Sequence, residues 1–428
     1  MNPIQRTVLG FALAGLMLQA NAQFDSAHRL TESAANVLAQ STIAATQRRT
    51  PTGFYTIGMR DGRWTLFDPD GKTYFPLGLN HLSERFGVGR IDHDLASYHF
   101  NSYGWMASRS FIKEGSLSYV YPFDFLKISI GLYNRIRRGD TPGTFRYPDP
   151  YDPRFRAEVQ QEIADTCASL KNDRNLVAYM LGDVPVIIPQ RNNSELNWTA
   201  SIRSQPDGTP GKTEYLAWLR NQYKGRETEF TANYGFAPKG DRFPFEGSKL
   251  PAQDTEVHKD DVKFALHLIA EFYAFVAPLI RHADPNHLLF SHRLLRDQLN
   301  MELLRSAARH VDAIAVQPPF NENLDTQLFR TVHETTGKPL FISDHHINTS
   351  SRLSTREDAA REYPRYLQAV YDSGIIIGYG FCSHLDSVGK ASGLLKPGLC
   401  DSSGQIHPEF ARHVVPANRE LLEKFGRN

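Results

Sequence analysis

From residue 74 to residue 381 the chain repeats one pattern: a short apolar run, a polar joint, then a stretch of helical period. Eight such runs stand at 74–79, 101–106, 118–122, 176–181, 287–292, 313–317, 339–343 and 375–381. Helical stretches lie between them at 154–171, 212–233, 260–282, 299–309, 324–335 and 355–372. Short runs that are apolar at odd and even positions alike are what strands buried on both faces look like. Parallel strands alternating with helices leave an open doubly wound sheet or a closed barrel. The open sheet would want a phosphate-binding glycine loop after its first strand, and Gly78-Leu79-Asn80 gives none. The pattern predicts a (β/α)8 TIM barrel with a small N-terminal β element and a long insertion after strand 4.

The remaining segments are read around that barrel. Arg6, an apolar stretch at 8–18 and the sequence Ala20-Asn21-Ala22 follow the order of a secretory signal peptide. Residues 1–22 are therefore expected to be cleaved near Ala22, which predicts a secreted or periplasmic protein. Gln23, not a Cys, stands directly after that point, so no lipid anchor is expected, and no later run reads as a membrane helix. Residues 23–52 read as a flexible or helical extension. Residues 53–73 carry turn signals at Asp61-Gly62 and Asp68-Pro69-Asp70-Gly71 and read as a small β-hairpin element. Residues 74–428 make the catalytic barrel, with an insertion at about 186–285 expected to wall the mouth of the site. Lys and Arg total 48 against 47 Asp and Glu, with no basic block, so nothing signals a nucleic-acid partner or an anionic membrane surface, and neither is expected. Of the three cysteines, Cys167 falls in a helical stretch, while Cys382 and Cys400 are close enough in sequence to pair.

In a barrel of this kind the chemistry sits where the strands end. The first run ends on Asn80-His81, and the second carries Trp105 and leads to Arg109. The fourth ends on Asp183, the fifth on His292-Arg293, the sixth on Gln317, the seventh on Asp344-His345-His346, and Asp386 follows the eighth. Asp183 and Asp344 each follow an apolar strand directly, in LVAYMLGD (176–183) and KPLFISD (338–344). Cleaving a glycosidic bond takes one carboxyl group to protonate the leaving oxygen and a second to attack the sugar or activate water. Strands four and seven face each other across a barrel mouth, so Asp183 and Asp344 are the predicted catalytic pair. The competing reading is that each Asp caps a helix or turn. Asn80, His81, Trp105, Arg109, His292, Gln317, His345, His346 and Asp386 are the predicted substrate-binding residues, with Arg293 assigned to a salt bridge. No metal and no cofactor are expected. Neighbours on a strand point to opposite faces, which splits the Asp344-His345-His346 cluster, and no H-E-x-x-H or G-x-S-x-G motif occurs.

The chain also resembles the clan of barrel glycoside hydrolases that includes β-agarases and β-galactosidases. The likeness runs from residue 54 to about residue 412. It rests on DGRW (61–64), DPDG (68–71), FPLGLNH (75–81), FNSYGW (100–105), LVAYMLGDVP (176–185), DPNH (284–287), KPLFISD (338–344), GYGF (378–381) and GLCDSSG (398–404). The resemblance implies hydrolysis of a poly- or oligosaccharide, with Asp344 at the nucleophile position. The clan's pattern has an Asn-Glu pair after strand four and a Glu ending strand seven, where this chain has Gly182-Asp183 and Asp344. Asp183 falls on the Asn, or on the acid/base Glu if one residue is deleted. In this respect the chain is similar to agarase-like proteins with Asp at both catalytic positions. Loss of both Glu residues keeps a non-catalytic sugar-binding barrel open as the alternative, and a polysaccharide lyase behind it.

Overall fold

A computed structural model describes residues 51–136, 148–182, 187–188, 198–203, 205–235, 256–319, 321, 323–347, 355–388, 395–396 and 398–426. The leader, nearly all of the 23–52 extension, Asp183 and much of the 186–285 insertion lie outside the described residues.

The described chain opens with a three-stranded antiparallel sheet, β1 (Thr56–Arg60), β2 (Arg63–Phe67) and β3 (Thr73–Tyr74). Asp61 (φ 51°) and Gly62 (φ 73°) make the turn between its first strands. Positive φ at both turn residues matches the twist of the flanking strands. Asp68 shapes the next turn, its Oδ1 accepting from the backbone N–H groups of Asp70 and Lys72.

The main body is mixed α/β with parallel sheets. β4 (Leu77–Leu79), β11 (Ile376–Phe381), β10 (Leu340–His345), β9 (Ile314–Gln317) and β8 (Leu294–Leu295) form one sheet in that order. β5 (Tyr119–Pro122), β6 (Leu176–Met180) and β7 (Leu288–Phe290) form another. Backbone pairing runs on between the two. Ser102 bridges to Gly78 and to Ser118, and Phe290 bridges to Ala313, all in parallel sense. The expected strand at 101–106 is thereby reduced to a bridge at Ser102. Gly104 turns the backbone to φ 71°, and its Cα lies 2.6 Å from where a Cβ on Gly78 would stand. That close approach needs glycine on both sides.

β6, β10 and β11 are buried at every residue, with helices covering one face and a second apolar cluster filling the other. Tyr55 and Leu66 of the antiparallel sheet join that inner cluster with Val120, Val177, Phe290 and Phe341. The sheet is held at the strand starts by Trp64 N–H donating to the Gly374 carbonyl at 2.8 Å. The family-like motif DPNH also acts at this end. Asp284 accepts hydrogen bonds from Tyr179 and His287 and so braces β6 against β7.

Each helix is set by its ends. Thr355 and Asp358 form a capping box before helix Arg356–Ser373, and left-handed Gly374 ends it just ahead of β11. Contrary to the sequence expectation, one later helix is long and apolar enough to cross a membrane: the stretch His258–Ala283, with mean hydropathy 1.5. Its Phe264, Leu268, Ile269, Phe272, Val276 and Ile280 are buried in the protein's own core, so its apolar character is used in packing.

Candidate functional site

The C-terminal ends of the parallel strands converge on Asp344. Its side chain is 4% exposed and has four polar neighbours. Asn80 Nδ2 donates to Oδ1 at 2.7 Å. Gln317 Nε2 donates to Oδ2 at 3.4 Å, and the Arg293 guanidinium lies 3.4 Å from the same oxygen. His81 Nε2 stands 4.0 Å from Oδ1, on a half-exposed side chain. A buried carboxylate is tolerable only with this kind of compensation from donors and cations.

Asn80 is fully buried and links three strand ends. Its Nδ2 also donates to the Ser343 carbonyl at 2.7 Å, while its Oδ1 accepts from Trp105 N–H at 3.3 Å. Its own N–H donates to Phe381 O at 2.9 Å. Two glycines make room for this side chain. A Cβ on Gly104 would stand 2.0 Å from Asn80 Oδ1, and one on Gly380 would stand 2.9 Å from Nδ2. His81, directly after it, has φ 56°, an uncommon conformation for a residue with a Cβ and one that recurs at functional sites.

Arg293 ties the carboxylate to an aromatic wall. Its guanidinium carbon lies 5.1 Å above the Trp105 ring, within cation–π range. Its backbone N–H donates to the Gly182 carbonyl at 3.1 Å, which fixes the end of the chain leaving β6. Trp105 Nε1 and Gln317 Oε1 are buried without a hydrogen-bond partner among the described residues. A donor and an acceptor left in this way beside a carboxylate suit a hydroxyl-rich ligand.

Of the residues singled out in the sequence, Asn80, His81, Trp105, Gln317 and Asp344 meet here, while Asp183 lies outside the described residues. The others are placed elsewhere. His345 points into the helix layer, where Nδ1 pairs with Tyr379 OH at 2.8 Å, Nε2 with Asn321 O at 2.9 Å, and the ring stacks on Tyr366. Strand alternation sends it to the face opposite the interior. His292 is enclosed beside Phe272 and pairs with Tyr273 OH at 3.1 Å. His346 sits edge-on against Phe381 and Phe410. Burial pushes the imidazoles of His292 and His345 down to about 3 and that of His346 to about 4, so all three are held neutral. Asp386 is a brace: it accepts from Gly398 N–H at 2.7 Å and pairs with His407 at 3.1 Å and Arg356 at 3.5 Å. Arg109 opens helix Arg109–Glu114 and is exposed, with no contact to Asp344.

Two residues take on more than their sequence reading gave them. Arg293 does make a salt bridge, but with Asp344 itself. Cys382 and Cys400 form no disulfide with each other, which overturns the expected pairing. Cys382, half-buried, instead joins His81 and Asp344 in a group whose ligand atoms lie within 4.8 Å of one another. The sequence hides this trio because its members end three separate strands.

No family model and no curated protein matches the sequence. Solved structures do match. An exo-β-agarase aligns with TM-score 0.68 and 15% identity, over 89% of this chain and 66% of that one. A further agarase aligns with TM-score 0.64 and 14% identity, over 92% and 70%. A polyextremophilic β-galactosidase from the Antarctic haloarchaeon Halorubrum lacusprofundi aligns with TM-score 0.56 and 12% identity, over 81% and 58%. This chain spans about two thirds of the length of the exo-β-agarase it resembles. At these identities the likeness is one of architecture, and it identifies the chain as having an agarase-like glycoside hydrolase fold.

Proposed function

We propose that this protein is a glycoside hydrolase acting on a poly- or oligosaccharide, with Asp344 and Asp183 as its carboxyl pair. One observation carries the reading. At the end of β10, Asp344 is a buried carboxylate held by Asn80 and Gln317 and faced by Arg293 and His81. Donors and a cation aimed at a carboxylate from several strand ends fix its position and orientation, which a nucleophile or a base for water needs. Asp183 directly follows Gly182, whose carbonyl is tied to Arg293, and this supports bringing the second acid to the same place. The bridges at Ser102 and Phe290 support closing the two sheets into one (β/α)8 barrel with this site at its mouth. The leader sequence supports export as a secreted or periplasmic enzyme. The agarase and galactosidase likenesses make galactose-containing glycans the first substrates to try.

The test is a screen of wild type, Asp344→Asn and Asp183→Asn on a panel of marine and bacterial polysaccharides, read as new reducing ends. Cleavage by wild type that either substitution abolishes supports the pair; undiminished cleavage by both variants rejects it. A second reading has its own observation. Arg293 lying against Asp344 is the neutralising contact a non-catalytic sugar-binding protein would keep. Calorimetric binding of a glycan that is never cleaved would select it. A lyase would instead announce itself by ultraviolet absorbance of an unsaturated product.

A further inference from the structure

We propose that His81, Asp344 and Cys382 form a binding site for a divalent transition metal of the zinc type. β4, β11 and β10 are neighbours in one sheet, and each supplies one ligand just at or beyond its C-terminal end. The registers bring the three together: Phe381 pairs with Leu79 on one side and with His345 on the other. Cys382, two residues after Gly380, therefore lies between the chain leaving β4 and the end of β10. A ring nitrogen of His81, a carboxylate oxygen of Asp344 and Cys382 Sγ fall within 4.8 Å of one another. A tetrahedral ion would draw such atoms to about 3.3–3.8 Å, given metal–nitrogen and metal–sulfur bonds of about 2.0 and 2.3 Å. Half-exposed His81 has the freedom to close that gap.

Donor chemistry selects the ion. A thiolate and an imidazole beside one carboxylate oxygen suit zinc or cobalt and poorly suit calcium or magnesium, which want oxygen ligands. Asp344 has the capacity to serve. Arg293 and Gln317 engage Oδ2, while Oδ1 faces His81 and accepts from Asn80, leaving Oδ1 a second lone pair. Binding releases the Cys382 thiol proton to solvent. Three protein ligands leave a fourth position open. The ion needs no hydrolase activity to bind. That it inhibits hydrolysis, by occupying the Asp344 oxygen, rests on the function proposed above.

Cobalt(II) titration of the full mature chain, expressed without a histidine tag and treated with chelator, tests the site. Expected is one equivalent bound with a thiolate-to-cobalt charge-transfer band in the near ultraviolet and visible bands of tetrahedral intensity. Cys382→Ser removes the charge-transfer band, while Cys400→Ser keeps it. His81→Ala weakens zinc competition by more than the roughly tenfold to hundredfold that loss of an outer partner brings. Absence of the band in wild type, or its survival in Cys382→Ser, overturns the site. If Cys382→Ser does not fold, His81→Ala alone decides: unchanged zinc affinity overturns the proposal. Where a cleavable glycan is in hand, zinc should inhibit wild type. Bands without inhibition keep the metal site and reject its overlap with catalysis, and bands in a protein inactive on every glycan reject only the hydrolase reading.

Discussion

Asn80 holds Asp344 at two points, donating one hydrogen bond to its carboxylate and another to the carbonyl of the residue before it, both at 2.7 Å. A side chain that is fully buried and so bound has no rotational freedom left, and the carboxylate inherits that rigidity. Asn80→Ala is therefore expected to lower kcat by about a hundredfold, in the range seen when one preorganised donor is removed. KM should change much less. Steady-state kinetics on a cleaved glycan measures this, and an unchanged kcat would reduce Asn80 to packing.

The separation of the two acids sets the stereochemistry. Asp is one methylene shorter than Glu, so a pair of Asp leaves a wider gap than the Glu pair of retaining enzymes, which sits at about 5–5.5 Å. With Asp183 and Asp344 as the proposed pair, such a gap would admit a water, and the expected first product has inverted anomeric configuration, Asp183 acting as acid and Asp344 as base. Proton NMR of the fresh product distinguishes the outcomes; net retention would make Asp344 the nucleophile.

Gly104→Ala should damage the site from behind. The new methyl would stand 2.0 Å from Asn80 Oδ1 at a backbone φ of 71°. Crowding and left-handed strain together are expected to destabilise the fold by about 1–3 kcal/mol. Thermal melting reads the loss, and activity should fall further than stability alone explains because Asn80 is displaced.

Acid should unfold the protein through its buried imidazoles. His292 and His345 are pushed down to about 3 and His346 to about 4. In the unfolded chain each returns to about 6.5, so the unfolded state binds more protons between those values. Stability from these groups is complete above the unfolded value and is lost as pH falls toward the folded ones. At about pH 5 the loss is about 2 kcal/mol for each. Denaturant melts at about pH 7 and pH 5 should show it, and His346→Met should flatten the dependence.

The parallel strands could be read where they are buried on both faces, which writes continuous apolar runs such as LVAYM in β6. The failure at 101–106 has a specific cause. Gly104 takes a positive φ and nestles against Gly78, and neither fact is visible as hydropathy. Within the site, polar residues at strand ends were easy to find, but not the face each would use. Asp344 faces Asn80 while its neighbour His345 faces Tyr366, and Asp386 turns to Arg356 and His407. The partnership of Cys382 with His81 was hidden because adjacency in a parallel sheet joins residues far apart in the chain.

Helix Glu256–Ala283 bears on how the chain reaches its folded state. A stretch that oily is harmless only once its Phe and Ile side chains are interlocked with the layers around it. On a newly made polypeptide it offers the same surface to any bilayer or chaperone within reach. Timely folding is thus what keeps this segment in the core and out of the lipid.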